Sequence, residues 1–414
     1  MITKDQLTKY QELMVEQKKV RNRMTKNLKM VYIVSVMIGL ILGVTISYFG
    51  IFRNSNQHAV NAFIMYFYLG LIFLVLSSII HIILHEGGHL VFGLLTGYKY
   101  LSFRIFSTIF YKHNGKLHKR KFAIKGTAGQ CLMYPPKRKE DGGFPFVWYN
   151  MGGGISNLFF SILAFMPVFM TDNKILLTIC IAFIATGILT GLTNLIPLNT
   201  GIQNDGMNMM QMLKDNKSRD AFYTQLKVNA EMSDGKLISD YSPADFFVEE
   251  ELDRRNMLIA FNQFYLYYMK LSEQDYEGAR QKLNKMAVHS HQYIAAIFNM
   301  IEIERLFFMV LDKKPLEEIA SVYSYVRMIL NTSKTSVGIQ RVKYIYEALL
   351  SETDKKDIMN LITKKPPKNW KECTEEQAYE DFLKVVNYFP IIGEAKMHLN
   401  IVAYIKKKYI IDNA

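Results

Sequence analysis

The sequence predicts a mainly α-helical, polytopic membrane protein: about four transmembrane helices, a small β-hairpin insertion, and a soluble all-α C-terminal domain. Two observations carry this. The long apolar runs are confined to residues 30–198 of a 414-residue chain, whereas residues 214–414 read as charged, amphipathic helix. Half of the residues are hydrophobic, yet the mean hydropathy is only +0.04, an average that suits neither a soluble protein nor a pure membrane bundle and so points to a split chain. The expected division is a basic N-terminal segment (1–29), a membrane-embedded domain (30–213) and a helical domain (214–414).

In chain order, residues 1–29 are polar and basic, without the short basic start and small-residue cleavage site of a signal peptide. Residues 30–52 then supply the roughly 20 apolar residues needed for a first span. A second apolar run begins at Ala62 and continues as helix through His85 to Leu95. Residues 97–149 are basic, and His113-Asn114-Gly115 sits between two β-prone runs, a hairpin signal over about 98–125. Two further apolar runs, roughly Asn150–Met170 and Ile175–Leu198, are separated only by Thr171–Lys174 and pair as a helical hairpin. In the tail, Lys365-Pro366-Pro367 marks a break, and the pattern of Tyr268, Tyr276, Gly278 and Ala279 resembles tetratricopeptide helix pairs.

The net charge of +13 has a direction. Eight Lys or Arg precede the first run and eleven lie in 97–149, against one each in the 53–61 and 171–174 loops. The positive-inside rule then puts both termini and the basic segment of a multi-pass cell-membrane protein in the cytoplasm. Charge that flanks apolar runs suits a lipid bilayer rather than nucleic acid. Cys131, Cys180 and Cys373 have neither disulfide-framework nor metal-site spacing.

The chemistry concentrates at His85-Glu86-Gly87-Gly88-His89. Positions i and i+4 share one helix face, so both imidazoles can reach one ion, with Glu86 beside it as a base. Ionisable groups in an apolar helix are costly and are read as functional. His81, one turn earlier, is an outer-shell donor, an alternative ligand, a cavity-lining group or a packing residue. Two histidines leave a coordination sphere incomplete. Asp205, after the Pro197 break, emerges on the side expected for His85 and His89; read alone, Asn204-Asp205-Gly206 is also a common turn.

Three features of residues 62–210 resemble the site-2 protease family of intramembrane zinc metalloproteases: His85-Glu-Gly-Gly-His89 in an apolar helix, Asn194-Leu-Ile-Pro197 leading to Asp205-Gly206, and Gly152-Gly-Gly-Ile-Ser-Asn157. The chain departs from that family in a longer Pro197-to-Asp205 gap and in Gly154, where proline is common. The resemblance implies one zinc ion per chain held by His85, His89 and Asp205. It also implies Glu86 as general base and Asn157 as a group holding the substrate backbone or developing oxyanion. The implied activity is hydrolysis of a peptide bond in or near a membrane-associated peptide or single-span protein. The basic hairpin either offers a strand edge to such a substrate or lies against anionic lipid. The helical tail binds a protein partner, gates access or caps the bundle. Two other classes remain: a catalytically inactive protease-like scaffold or accessory in peptide maturation or export, and a transporter component, which the lack of repeated spans disfavours.

Overall fold

The computed structural model describes residues 3–15, 18, 57–113, 115–124, 127–198, 202–246, 254–363 and 373–411. The run at 30–52, expected to be the first span, lies outside the described residues, as do Asn114 and Lys365-Pro366-Pro367. The chain forms two compact units that interleave in sequence: Thr25–Ile105 with Ala128–Asn216, and Met1–Met24 with Phe106–Thr127 and Lys217–Ala414.

Among the described residues, the first unit is built on three helices long and apolar enough to cross a membrane. They are α1 (Gln57–Leu95), α2 (Phe146–Leu163), which continues after Ala164 as the short α3 (Phe165–Met170), and α4 (Lys174–Leu195). Their surface is inside out relative to a soluble bundle. Leu71, Ile72, Val75, Leu76, Ile79, Ile80 and Ile83 are exposed along α1, while Ser77, His81, Glu86 and His89 are buried. On α2, Phe159, Ile162 and Leu163 face outward and Asn150, Asn157 and Ser161 inward. Such a surface suits hydrocarbon, where backbone groups are satisfied within each helix and polar side chains turn toward the bundle.

Local sequence sets the helix ends. Gly97 takes φ 90°, a left-handed conformation that ends α1, with Tyr98 N–H donating to Gly93 O at 3.0 Å. Asn173 caps α4, its side chain accepting from Ile175 N and Leu176 N, and Pro197 follows its end. Helix α5 (Asp205–Lys214) completes the unit, together with strands β1 (Lys99–Ile105) and β4 (Gly129–Tyr134). These pair antiparallel from Lys99↔Tyr134 to Ile105↔Gly129, with an irregularity between Tyr100 and Ser102. Strand β4 runs beside the C-terminal half of α1: Gly129 packs on Glu86 and Met133 on Gly93.

In the second unit, β2 (Thr108–His113) and β3 (Lys116–Lys121) form an antiparallel hairpin that closes at His113↔Lys116, with Gly115 at φ 76°. This is the tight two-residue connection that Asn-Gly encodes. Buried Ile109 and Tyr111 alternate along β2, and with Phe122 they join one apolar core with helical residues of the C-terminal half. Phe122 meets Phe389 edge-on, and Arg120 donates to Asn387 O. Helices from Asn216–Ser233 to Ile392–Ile405 make up the remainder, including the pair Met257–Ser272 and Tyr276–Ala287, in which Ala279 is fully buried.

Candidate metal centre

His85 and His89 occupy successive turns of α1, and their Nε2 atoms lie 3.2 Å apart. Asp205 Oδ2 lies 3.2 Å from His85 Nε2 and 3.4 Å from His89 Nε2. The three residues form a group able to hold a metal ion. The donor set fits one well: two imidazole nitrogens and a carboxylate oxygen converge on one small volume. In the metal-free site burial raises the Asp205 pKa, but protonated His89 and hydrogen bonds from both imidazoles outweigh it and hold the carboxyl well below its usual range; a bound metal would release those Nε2 protons. Asp205 is therefore ionised, as a ligand must be.

His89 is pre-set as a ligand. Its Nδ1 lies 2.6 Å from the carbonyl oxygen of Tyr149, which can only accept, so Nδ1 carries the proton and Nε2 presents a lone pair. Tyr149 is itself tied down, its hydroxyl donating to Cys131 O of β4 at 2.7 Å.

The glycines of α2 explain how the helices come so close. Three successive residues of a helix point about 100° apart, and each of these three serves a different neighbour. A Cβ on Gly152 would meet Gly88 of α1 (3.0 Å to its carbonyl carbon). One on Gly153 would meet His85 Cε1 (2.5 Å) and His89 Nε2 (2.6 Å), and one on Gly154 would meet Leu195 and Gly191 of α4.

Asp205 is delivered by its neighbour Asn204. The Asn204 Oδ1 accepts from Met207 N (2.9 Å), capping α5, and from Leu198 N (3.0 Å). Its Nδ2 donates to Thr193 O (2.6 Å) and Ile196 O (2.7 Å) at the end of α4. Four bonds from one side chain thus fasten the start of α5 to the end of α4. Gly206 allows the close approach, since a Cβ there would lie 2.6 Å from the Leu195 carbonyl carbon. Asp205 therefore sits in the first turn of a helix rather than in an open turn.

Glu86 is buried beside the ligands, with the charges of His85, His89, Asp205 and Arg104 around it. The Gly129 backbone packs on it, a Cβ there falling 2.6 Å from Glu86 Cγ. Arg104 of β1, fully buried, donates from Nη2 to Gly129 O at 2.9 Å and so holds the strand that holds Glu86. Nothing in the sequence marked Arg104 or Asn204; an Arg buried in a strand and an Asn four times bonded become visible only once the pairings are known.

Asn157, also buried, lies behind His85 on the side away from Asp205: its amide is 3.4 Å from His85 Nδ1, 3.2 Å from His81 Nδ1 and 3.1 Å from Thr190 Oγ1. His81 is fully buried. It bonds Asn157 and Phe183 O and is not in the metal-holding group. Comparison of the chain with family models, curated proteins and solved structures returns no match.

Proposed function

We propose that the chain is an intramembrane zinc metalloendopeptidase of the site-2 protease type, cleaving a peptide bond in or near a membrane-associated peptide or single-span protein. The observation that carries the proposal is the convergence of His85 Nε2, His89 Nε2 and Asp205 Oδ2 inside helices whose outer surface is apolar. Two imidazoles and one carboxylate suit zinc better than the all-oxygen shells preferred by calcium and magnesium. Held by His85, His89 and Asp205, a zinc ion would supply Lewis-acid polarisation of the scissile carbonyl and acidify water for attack near neutral pH.

The remaining work falls to the chain's own residues. Glu86 accepts a proton on a carboxylate oxygen as water attacks and returns it to the leaving amine. Packing against Gly129, itself held by Arg104, keeps that carboxylate at the ligands. Tyr149 O orients His89, and Asn157 orients His85. The apolar exteriors of α1, α2 and α4 support a reading in which a substrate's own membrane segment approaches from the bilayer. Both termini then lie in the cytoplasm, with the basic loop on the same side.

Glu86→Gln tests the reading in detergent micelles with a labelled single-span peptide. Zinc content should stay at the wild-type level while cleavage falls about 10²- to 10⁴-fold. A fully active variant would remove Glu86 from the mechanism. Zinc without cleavage in the wild type would favour the inactive scaffold.

A further inference from the structure

We propose that His81 and Asn157 are positioning residues that fix which nitrogen of His85 carries the proton, leaving Nε2 free for a metal ion. The inference rests on the metal-centre reading and adds residues that bind nothing themselves. His81 Nε2 lies 3.0 Å from Phe183 O, an atom that only accepts, so Nε2 carries a proton. In a neutral ring Nδ1 is then an acceptor, yet its neighbour at 3.2 Å is Asn157 Oδ1, which also only accepts, while Nδ2 faces His85 Nδ1 at 3.4 Å. Gly187 and the Phe183 ring, which lie against His81, and Ser161 beside Gly187 carry no negative charge to support a second proton. The donor end of the amide must therefore face His81.

A side-chain amide is nearly symmetric in shape, and a half-turn about Cβ–Cγ exchanges its ends. With Oδ1 toward His81 and Nδ2 toward His85, His81 needs two protons and His85 must accept at Nδ1, which puts the His85 proton on Nε2 and blocks the metal position. After the half-turn the facing atoms of His81, Asn157 and His85 pair with both rings neutral. Asn157 Nδ2 donates to His81, and Oδ1 accepts from His85 Nδ1. Oδ1 also takes the Thr190 hydroxyl hydrogen, which otherwise goes to Thr186 O at 2.8 Å. The His85 Nε2 lone pair then points at the site it shares with Asp205 and His89. Metal occupancy and amide orientation are one equilibrium, with His81 as the fixed end. His81 is well suited to that role, because it is fully buried and its Nε2 is tied to Phe183 O at 3.0 Å.

The test is cobalt(II) and zinc(II) affinity, by chelator competition, on the full chain in detergent, with the cobalt d–d spectrum as a second readout. His81→Leu removes both hydrogen-bonding ends and should weaken binding about 10- to 100-fold, the usual range for an outer partner of a metal ligand. His81→Gln can still accept from Asn157 and donate to Phe183 O, and should recover to within about threefold of wild type. Asn157→Asp can only accept, so it forces the proton onto His85 Nδ1 and should bind at least as tightly as wild type. These two variants carry the test if His81→Leu fails to fold. The proposal is overturned if His81→Leu binds as wild type while His85→Ala has lost the metal. It is equally overturned if either conservative variant weakens as far as His81→Leu would at an unchanged metal-free melting temperature. Retention of full affinity by His85→Ala would instead overturn the metal centre itself.

Discussion

Gly87 and Gly88 are adjacent, identical in type and both inside the His-Glu-Gly-Gly-His segment, yet an alanine scan should separate them sharply. A Cβ on Gly87 meets nothing within 4 Å. One on Gly88 lies 2.7 Å from the Gly152 carbonyl carbon and from Ser156 Cβ, and closer still to the Gly152 oxygen. Ordinary carbon contacts are about 3.5–4.0 Å, so α1 and α2 must part by about 1 Å, and the obstacle is backbone that cannot rotate away. Both alanines gain the same helix propensity, about 1 kcal/mol over glycine. Only Gly88→Ala carries an overpacking cost of about 1–3 kcal/mol. The two variants should therefore differ by that amount, or about 2–12 °C in melting temperature for a unit of this size. The same displacement pulls His89 from Tyr149 O, and metal sites tolerate only about 0.2 Å, so zinc affinity should fall with Gly88→Ala and not with Gly87→Ala. Thermal unfolding in micelles with and without zinc reads both effects. Equal melting temperatures and equal affinities would refute the helix contact.

Two other perturbations probe different parts of the molecule. Asn204→Ala removes four hydrogen bonds at the start of α5; it should weaken metal binding at least tenfold, more than the roughly 1 kcal/mol of a lost cap alone, as chelator competition would show, and wild-type affinity would contradict the fastening role. In the C-terminal unit, burial and the Arg341 charge push His398 well below its ordinary pKa of about 6.5. The unfolded chain therefore binds a proton that the folded chain does not, and this contribution to stability is lost as pH falls below about 6.5, by up to about 1.4 kcal/mol per pH unit. Nearby Glu394, raised to about 7 by burial, acts in the opposite sense, weakened by the 31% exposure of its side chain. The difference between wild type and His398→Gln in pH-dependent melting isolates His398: the variant should lose less stability between pH 6.5 and 5, and parallel curves would refute the assignment.

What the sequence made legible was local. Three of the four apolar runs became α1, α2 with α3, and α4, because run length and missing charge favour a long helix, and the run at 30–52 lies outside the described residues. The Asn-Gly dipeptide became a hairpin, and His85 and His89 met because i and i+4 share a face. Asp205 was reached across more than a hundred residues through the side on which it emerges after Pro197 and through a resemblance, and the structure supplies the physical reason for the meeting in Asn204 and Gly206. The hidden features depend on which groups face one another across elements. Gly87 and Gly88 differ only in what lies opposite, Arg104 acts through a strand partner 25 residues on, and His81 acts through an amide on another helix. Likewise, the hairpin expected as part of the membrane domain shares its core with the C-terminal helices, because Ile109, Tyr111 and Phe122 bury there.

The central claim is a three-residue zinc site, and bound zinc per chain tests it most directly. The account predicts about one zinc in detergent-purified wild-type protein, and its loss in His85→Ala, His89→Ala and Asp205→Ala alike. A wild type without zinc under metal-replete conditions, or an Asp205→Ala variant that keeps its zinc at full affinity, would contradict it.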